Sequence, residues 1–191
     1  MGAIRDYVGF HFMVLVFRVR DFFEPPARVL ENVGIRGGST VLDYACGTGC
    51  FTFAAAERVG PAGAVIAADV NPVAVRRVRR IAEKRNIENV EAIETDCPTG
   101  RDDASVDVVL LYDAFHMFPD PHAVLAELHR VLKPTGILSF SDHHLGHEDI
   151  LESFSVSGLF RLLRRSGGLY TFAKVSATDT QARPALEESG P

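Results

Sequence analysis

A chain of 191 residues with 47% hydrophobic content holds enough apolar material for one domain with a substantial core. Its formal net charge of -5 and pI near 5.8 exclude binding driven by phosphate neutralisation, so no nucleic-acid partner is expected. Three cysteines, Cys46, Cys50 and Cys97, cannot all pair and lack zinc-type spacing, which points to a reducing, cytoplasmic compartment and to no metal.

The chain opens with an apolar run over residues 8–17, closed by Arg18, Arg20 and Asp21. At about ten residues it is far shorter than the roughly 20 needed to cross a bilayer, and no small-residue cleavage site follows it. Residues 8–20 could still lie on a membrane surface, with Arg5, Arg18 and Arg20 at the lipid headgroups.

From Ser39 onward, short β-rich runs alternate with longer segments of helical period, the pattern of a parallel sheet with crossover helices. The strands read as Thr40–Tyr44, Ala64–Ala68, Val90–Glu94, Val106–Tyr112 and Gly136–Ser141. Phe51–Arg58 is helical. Asn71-Pro72 is an N-cap with proline at the first helical position, followed by Val75, Val78, Ile81 and Ala82 at helical spacing. Asp120-Pro121 repeats that signal ahead of Leu125, Leu128 and Leu132, and Lys133-Pro134 with Gly136 ends the helix. His147–Ser155 reads as a further helix. Leu159–Arg164 and Leu169–Val175 then form two strands around Ser166-Gly167-Gly168, a tight connection that makes them antiparallel and reverses one strand of the sheet. Residues 177–191 are polar and rich in Ser, Thr, Glu and Pro, and are expected to be a disordered tail. The Arg76-to-Arg85 basic cluster reads as the solvated face of its helix.

The chemistry begins where the first strand meets Ala45-Cys46-Gly47-Thr48-Gly49. Glycines at 47 and 49 carry no Cβ to obstruct a ligand that approaches the backbone. A dinucleotide fingerprint would need a third glycine where Thr52 stands, and the carboxylate of Asp43 would repel a pyrophosphate, which disfavours NAD. An acid at that point suits a cationic ligand instead. Asp69, after the second strand, can accept hydrogen bonds from ribose hydroxyls, and Thr95-Asp96-Cys97 supplies a polar group after the third.

The segment Val41-Leu42-Asp43-Tyr44-Ala45-Cys46-Gly47-Thr48-Gly49 resembles the first motif of class I S-adenosylmethionine (SAM)-dependent methyltransferases. Asp69 is similar to their ribose-binding acid, Asp96 to their adenine-side acid, and Arg130-Val131-Leu132-Lys133-Pro134-Thr135-Gly136 to the turn before their fifth strand. The resemblance implies a three-layer α/β Rossmann-like doubly wound sheet of seven strands, mostly parallel with an antiparallel last strand. It implies a SAM site built from Asp43, Ala45, Gly47, Gly49, Asp69, Val70, Asp96, Cys97, Tyr112 and Asp113. Ala45 departs from the glycine usual at its place, and the loop is expected to tolerate it by keeping that residue extended. The methyltransferase domain would span residues 25–176, with residues 1–24 as a helical lid over the acceptor or a surface anchor.

Methyl transfer asks the enzyme to position a small-molecule acceptor and manage its proton. His116, past the fourth strand, and His143 and His144, past the fifth, are the candidate acid/base or acceptor-binding groups, since an imidazole with an ordinary pKa near 6.5 suits that work. Phe115, Met117 and Phe118 read either as core or as the wall of an apolar acceptor pocket. The competing reading is a SAM-binding or interaction module without turnover. The sequence leaves the acceptor and the oligomeric state open.

Overall fold

A computed structural model describes residues 25–175. The expectations of a lid or membrane contact before Pro25, and of a disordered tail from residue 177, lie outside the described residues. Seven strands form one sheet: β1 Thr40–Tyr44, β2 Ala64–Asp69, β3 Val90–Glu94, β4 Val106–Tyr112, β5 Leu132–Ser141, β6 Phe160–Ser166 and β7 Leu169–Lys174. Their spatial order is β3-β2-β1-β4-β5-β7-β6. The first five in that order pair in parallel, and β7 runs antiparallel to both β5 and β6. The reversed strand expected from the Ser166-Gly167-Gly168 connection is therefore β7.

The helices are α1 Pro26–Val29, α2 Cys50–Val59, α3 Pro72–Arg85, α4 Pro121–Val131 and α5 His147–Ser157. Two start as the sequence dictates. Asn71 Oδ1 accepts from Val73 N at 2.9 Å and Asp120 Oδ1 from Ala123 N at 2.9 Å, each ahead of a proline whose missing N–H costs nothing at that position. Alternate strand residues feed two layers. Leu42, Val109, Leu111, Leu138 and Phe140 pack in one core with α4 and α5, while Val41, Val65, Val108 and Leu110 pack in the other against α2.

β5 starts at Leu132, not at Gly136 as the sequence suggested. Val106 pairs with Leu132 and Val108 with Ile137, so Lys133–Gly136 bulge opposite Asp107 instead of closing the helix. The bulge is held by Asp107, whose Oδ1 accepts from Lys133 Nζ at 2.7 Å and whose Oδ2 accepts from Thr40 N at 2.8 Å. A Cβ on Gly136 would sit 2.8 Å from Leu132 Cγ and 2.9 Å from Asp107 O, so only glycine fits. This clamp ties the amino ends of β1, β4 and β5 together. Their carboxyl ends are thereby brought level at the opposite edge, where Tyr44 lies beside Ala68 and Leu111, and Tyr112 beside Ser141.

Candidate functional site

The loop after β1 turns through left-handed backbone at Ala45 (φ 62°), Gly47 (φ 51°) and Gly49 (φ 80°). The expectation that Ala45 stays extended is thus incorrect. The chain must reverse within a few residues so that Cys46 N can reach Ala68 O at 3.0 Å and Gly49 N can reach Cys46 O at 2.9 Å, and this forces position 45 into the left-handed region despite its Cβ. Gly49 has a second constraint: a Cβ there would meet Val78 Cγ2 at 2.9 Å and Phe53 Cε2 at 3.2 Å.

Asp69 organises the loop from the end of β2. Its Oδ2 accepts from Gly47 N and its Oδ1 from Asn71 N, both at 2.8 Å, and each oxygen keeps a lone pair. Burial pushes its carboxyl above the ordinary value, against the pull of the two backbone donors. Asp43 lies deeper, 4% exposed, where burial lifts its pKa to about 7 while the Thr52 hydroxyl bond opposes the rise and nearby Asp69 adds to it.

The remaining residues singled out for the cofactor sit along the same edge. Val70 is 66% exposed directly after Asp69, and Asp96 is exposed after β3. Cys97 places its carbonyl to accept from Tyr44 Oη at 3.3 Å, and burial raises its thiol. Tyr112 turns its phenol inward onto Ser139 Oγ at 2.8 Å, and burial raises it as well. Its ring meets Phe51 edge-on at 4.6 Å. Asp113 adopts φ 52°, with its N–H donating to Ser141 O at 2.8 Å, so its carboxylate swings toward β5.

The three candidate histidines form a row. Ring centroids of His116 and His144 are 4.2 Å apart, and those of His144 and His143 are 4.3 Å apart. Each end of the row rests on a carboxylate. His116 Nδ1 lies 2.9 Å from Asp142 Oδ2, and Asp142 also accepts from the backbone N–H groups of His116 and His144, both at 3.0 Å. Burial alone would raise Asp142, but these bonds together hold it below the usual carboxylate value. At the other end His143 Nδ1 lies 2.6 Å from Asp113 Oδ1.

Only His143 of the three lines the cavity of about 1010 Å³ that opens beside the ends of β4 and β5. Phe51, Tyr112, Asp113, Asp142, His147 and Tyr170 share that wall. Asp142 and His147 lie in the histidine-rich stretch after the fifth strand but receive no acid/base role from the sequence, and Tyr170 is not singled out by it. Asp142 had a usable signal, an acid at the end of a strand, whereas the contact of His147 Nδ1 with Tyr170 Oη at 2.8 Å spans α5 and β7 and leaves no local trace. Phe115 belongs to the core, against Phe140 and Phe154, while Met117 is 65% exposed, so neither walls this cavity. Within the basic cluster, Arg77 Nε donates to Thr48 O at 3.3 Å and Arg79 Nη2 to Ala92 O at 2.7 Å, so these two clamp α3 to the loop and to β3 as well as facing water. Among the described residues no group of three or more His, Cys, Asp or Glu side chains is arranged to hold a metal ion.

Residues 35–181 match the family model described as a methyltransferase domain. The chain belongs to the methyltransferase-domain family. Among curated relatives, it is 40% identical over 121 residues to nocamycin O-methyltransferase of Saccharothrix syringae, covering 61% of this chain and 42% of that protein. It is 34% identical over 126 residues to demethylmenaquinone methyltransferase of Lactococcus lactis, covering 64% of this chain and 48% of that one. The chain therefore spans less than half the length of either relative. Among solved structures, a SAM-dependent methyltransferase from Aquifex aeolicus aligns with TM-score 0.71 and 26% identity over 80% of this chain and 90% of that one. The cyclase SpnF, at 24% identity and TM-score 0.64 over 73% of this chain and 57% of that one, shares the fold.

The cofactor that accompanies the family is S-adenosylmethionine, and the carboxyl edge of the sheet fits it. A half-buried carboxylate at Asp69 retains lone pairs for two vicinal hydroxyls, the left-handed loop presents backbone in place of side chains at Gly47, and acids line β1 to β3 where a cationic group would rest. Among the described residues no helix is long and apolar enough to cross a membrane.

Proposed function

We propose that this chain transfers the methyl group of S-adenosylmethionine to a small-molecule acceptor seated in the cavity beside β4 and β5. The observation that carries the reading is a juxtaposition at one edge of the sheet: the loop tied down by Asp69 on one side of β4, and the His143–Asp113 pair opening on a cavity of about 1010 Å³ on the other. Asp43, Ala45, Gly47, Gly49, Asp69, Val70, Asp96, Cys97, Tyr112 and Asp113 are the residues assigned to the cofactor, with Tyr112 and Asp113 standing where its site meets the acceptor cavity. Of these, Asp69 takes the ribose, and the loop lies under the amino-acid end.

When bound, the cofactor supplies an electrophilic methyl group on a sulfonium. The chain's own residues orient the acceptor and take its proton. With Nδ1–H of His143 donating to Asp113, Nε2 is left as the basic nitrogen facing the cavity, an arrangement in which the carboxylate fixes the tautomer and stabilises the imidazolium that forms. His116, held by Asp142, and His144, whose ring lies tilted between its two neighbours, complete the row behind His143. Phe51, Leu145, Ile150 and Leu169 give the cavity apolar wall, which supports an acceptor with a lipophilic body.

Isothermal titration with S-adenosylmethionine and NAD tests the first half of the reading, with submillimolar binding expected for the former alone. Asp69→Ala should weaken that binding by at least about tenfold, the worth of a pair of hydrogen bonds to a charged acceptor. Release of S-adenosylhomocysteine over a panel of acceptors tests the second half. A chain that binds the cofactor with equal strength after Asp69→Ala has its ribose elsewhere.

A further inference from the structure

The charges on the cavity wall are unevenly matched. Its carboxylates, Asp142 and Asp113, already lie 2.9 Å and 2.6 Å from imidazole nitrogens of His116 and His143. Its three guanidiniums, Arg28, Arg164 and Arg165, are in no salt bridge among the described residues. Arg164 donates one N–H to Asn32 O at 2.5 Å. Arg165 donates one to Gly167 O at 3.2 Å, with its guanidinium carbon 5.5 Å from the centroid of the Tyr170 ring. A guanidinium carries five N–H donors, so most of theirs remain for a ligand. Arg28 comes from α1, and the other two from the far end of the chain on β6, yet all three converge on one cavity.

We propose that the methyl acceptor carries an anionic group beside its apolar body, and that Arg28 and Arg165, assisted by Arg164, hold that anion. The inference rests on reading the cavity as the acceptor site. It is supported by how charge is divided along the sheet: the carboxylates of Asp69 and Asp96 stand at the ends of β2 and β3, and the guanidiniums of Arg164 and Arg165 come from β6 at the opposite edge. A cationic cofactor and an anionic acceptor are each drawn to their own side and repelled from the other. Arginine also binds carboxylate, sulfonate and phosphate oxygens through paired N–H donors, which orients the acid and leaves its apolar end to reach past Phe51 and Tyr112 toward His143.

The test uses the full chain and two fluorescent probes with the same aromatic body, 8-anilinonaphthalene-1-sulfonate and its neutral counterpart N-phenyl-1-naphthylamine. The sulfonate is expected to bind at least about tenfold more tightly than the neutral probe, as a charge-assisted pair of hydrogen bonds allows. Arg28→Gln combined with Arg165→Gln should abolish that preference and leave the neutral probe's affinity in place. A preference below tenfold in the wild-type chain, or one that survives in the double variant, overturns the proposal. If the double variant binds neither probe, Arg28→Gln alone decides, since its side chain is exposed: a lowered preference supports the anion site, and an unchanged one overturns it. Titration of the wild-type chain with S-adenosylmethionine is read separately. Failure to bind the cofactor with the sulfonate preference intact would count against methyl transfer and not against the anion site, and the opposite pair of results would do the reverse.

Discussion

Thr52, in the first turn of α2, donates its hydroxyl at 2.5 Å to Oδ2 of Asp43, the penultimate residue of β1, and both side chains are buried. The residue that stands where a dinucleotide fingerprint has glycine is therefore the partner of the buried acid beneath the loop. Burial lifts Asp43 from the ordinary carboxylate value, about 4, to about 7, so between about pH 4 and pH 7 the folded chain holds a proton that the unfolded chain has released. Stability from this group is fully present below about pH 4 and is lost as the pH rises through 7. Asp43→Asn keeps an oxygen for Thr52 and has no charge to bury. Its melting temperature should fall less than that of the wild type between pH 4.5 and 7.5, as followed by circular dichroism. Parallel profiles for the two proteins would show that Asp43 does not titrate in that range.

Ala45 bears a Cβ at φ 62°, where a non-glycine residue costs about 1–2 kcal/mol. Ala45→Gly relieves that cost and gives back part of it as extra freedom in the unfolded chain, about 0.4–1 kcal/mol. The net expectation is a gain of about 0.5–1 kcal/mol, read as a melting temperature higher by a few degrees for a chain of this size. A lower melting temperature would mean that the alanine methyl makes packing contacts worth more than its strain.

How much of this was legible beforehand depends on the range of the interactions involved. The strands, the caps at Asn71 and Asp120 and the reversal at Gly167 follow from local rules, because each rests on residues within one or two turns of chain. The acids at the ends of β1, β2 and β3 could be seen to share an edge, since parallel strands joined by crossovers end on the same side. What escaped were facts set by partners far along the chain. Lys133–Gly136 read as a helix stop because Asp107, which shapes the bulge, is not a neighbour in sequence. Three histidines were candidates of equal standing until tertiary structure put Asp142 under His116 and turned His143 alone to the cavity. The left-handed turn at Ala45 escaped for a different reason: alanine there works against local preference, and the bond from Cys46 N to Ala68 O overrides it.

Asp142 behaves oppositely to Asp43. The donors around it hold its folded pKa below the free value, so it contributes stability above about pH 4, and that contribution is lost as the pH falls through its native pKa. Asp142→Ala removes the acceptor for two backbone N–H groups and one imidazole, and should cost about 2–4 kcal/mol at pH 7, with a smaller penalty near pH 3. Urea denaturation at the two pH values measures both numbers. An equal penalty at pH 3 and pH 7 would assign the loss to packing and not to the carboxylate.

The histidine row yields the most direct comparison for catalysis. If His143 takes the acceptor proton, His143→Asn should lower kcat by about 10²–10⁴ with any acceptor whose methylation releases a proton, and should leave cofactor affinity within about twofold. Asp113→Asn leaves a side chain that can still meet Nδ1 but favours the wrong tautomer, so kcat should again fall while the acceptor's KM changes little. His116→Asn disturbs the row from its far end, where the imidazole rests on Asp142 and does not line the cavity. Its loss in kcat should be smaller than that of His143→Asn by at least about tenfold. The three variants measured side by side, as S-adenosylhomocysteine released per second at saturating acceptor, give the ranking directly. If His116→Asn proves the more damaging of the two histidine variants, the base is at the Asp142 end of the row, and the acceptor must reach it by a face other than the cavity lined by His143.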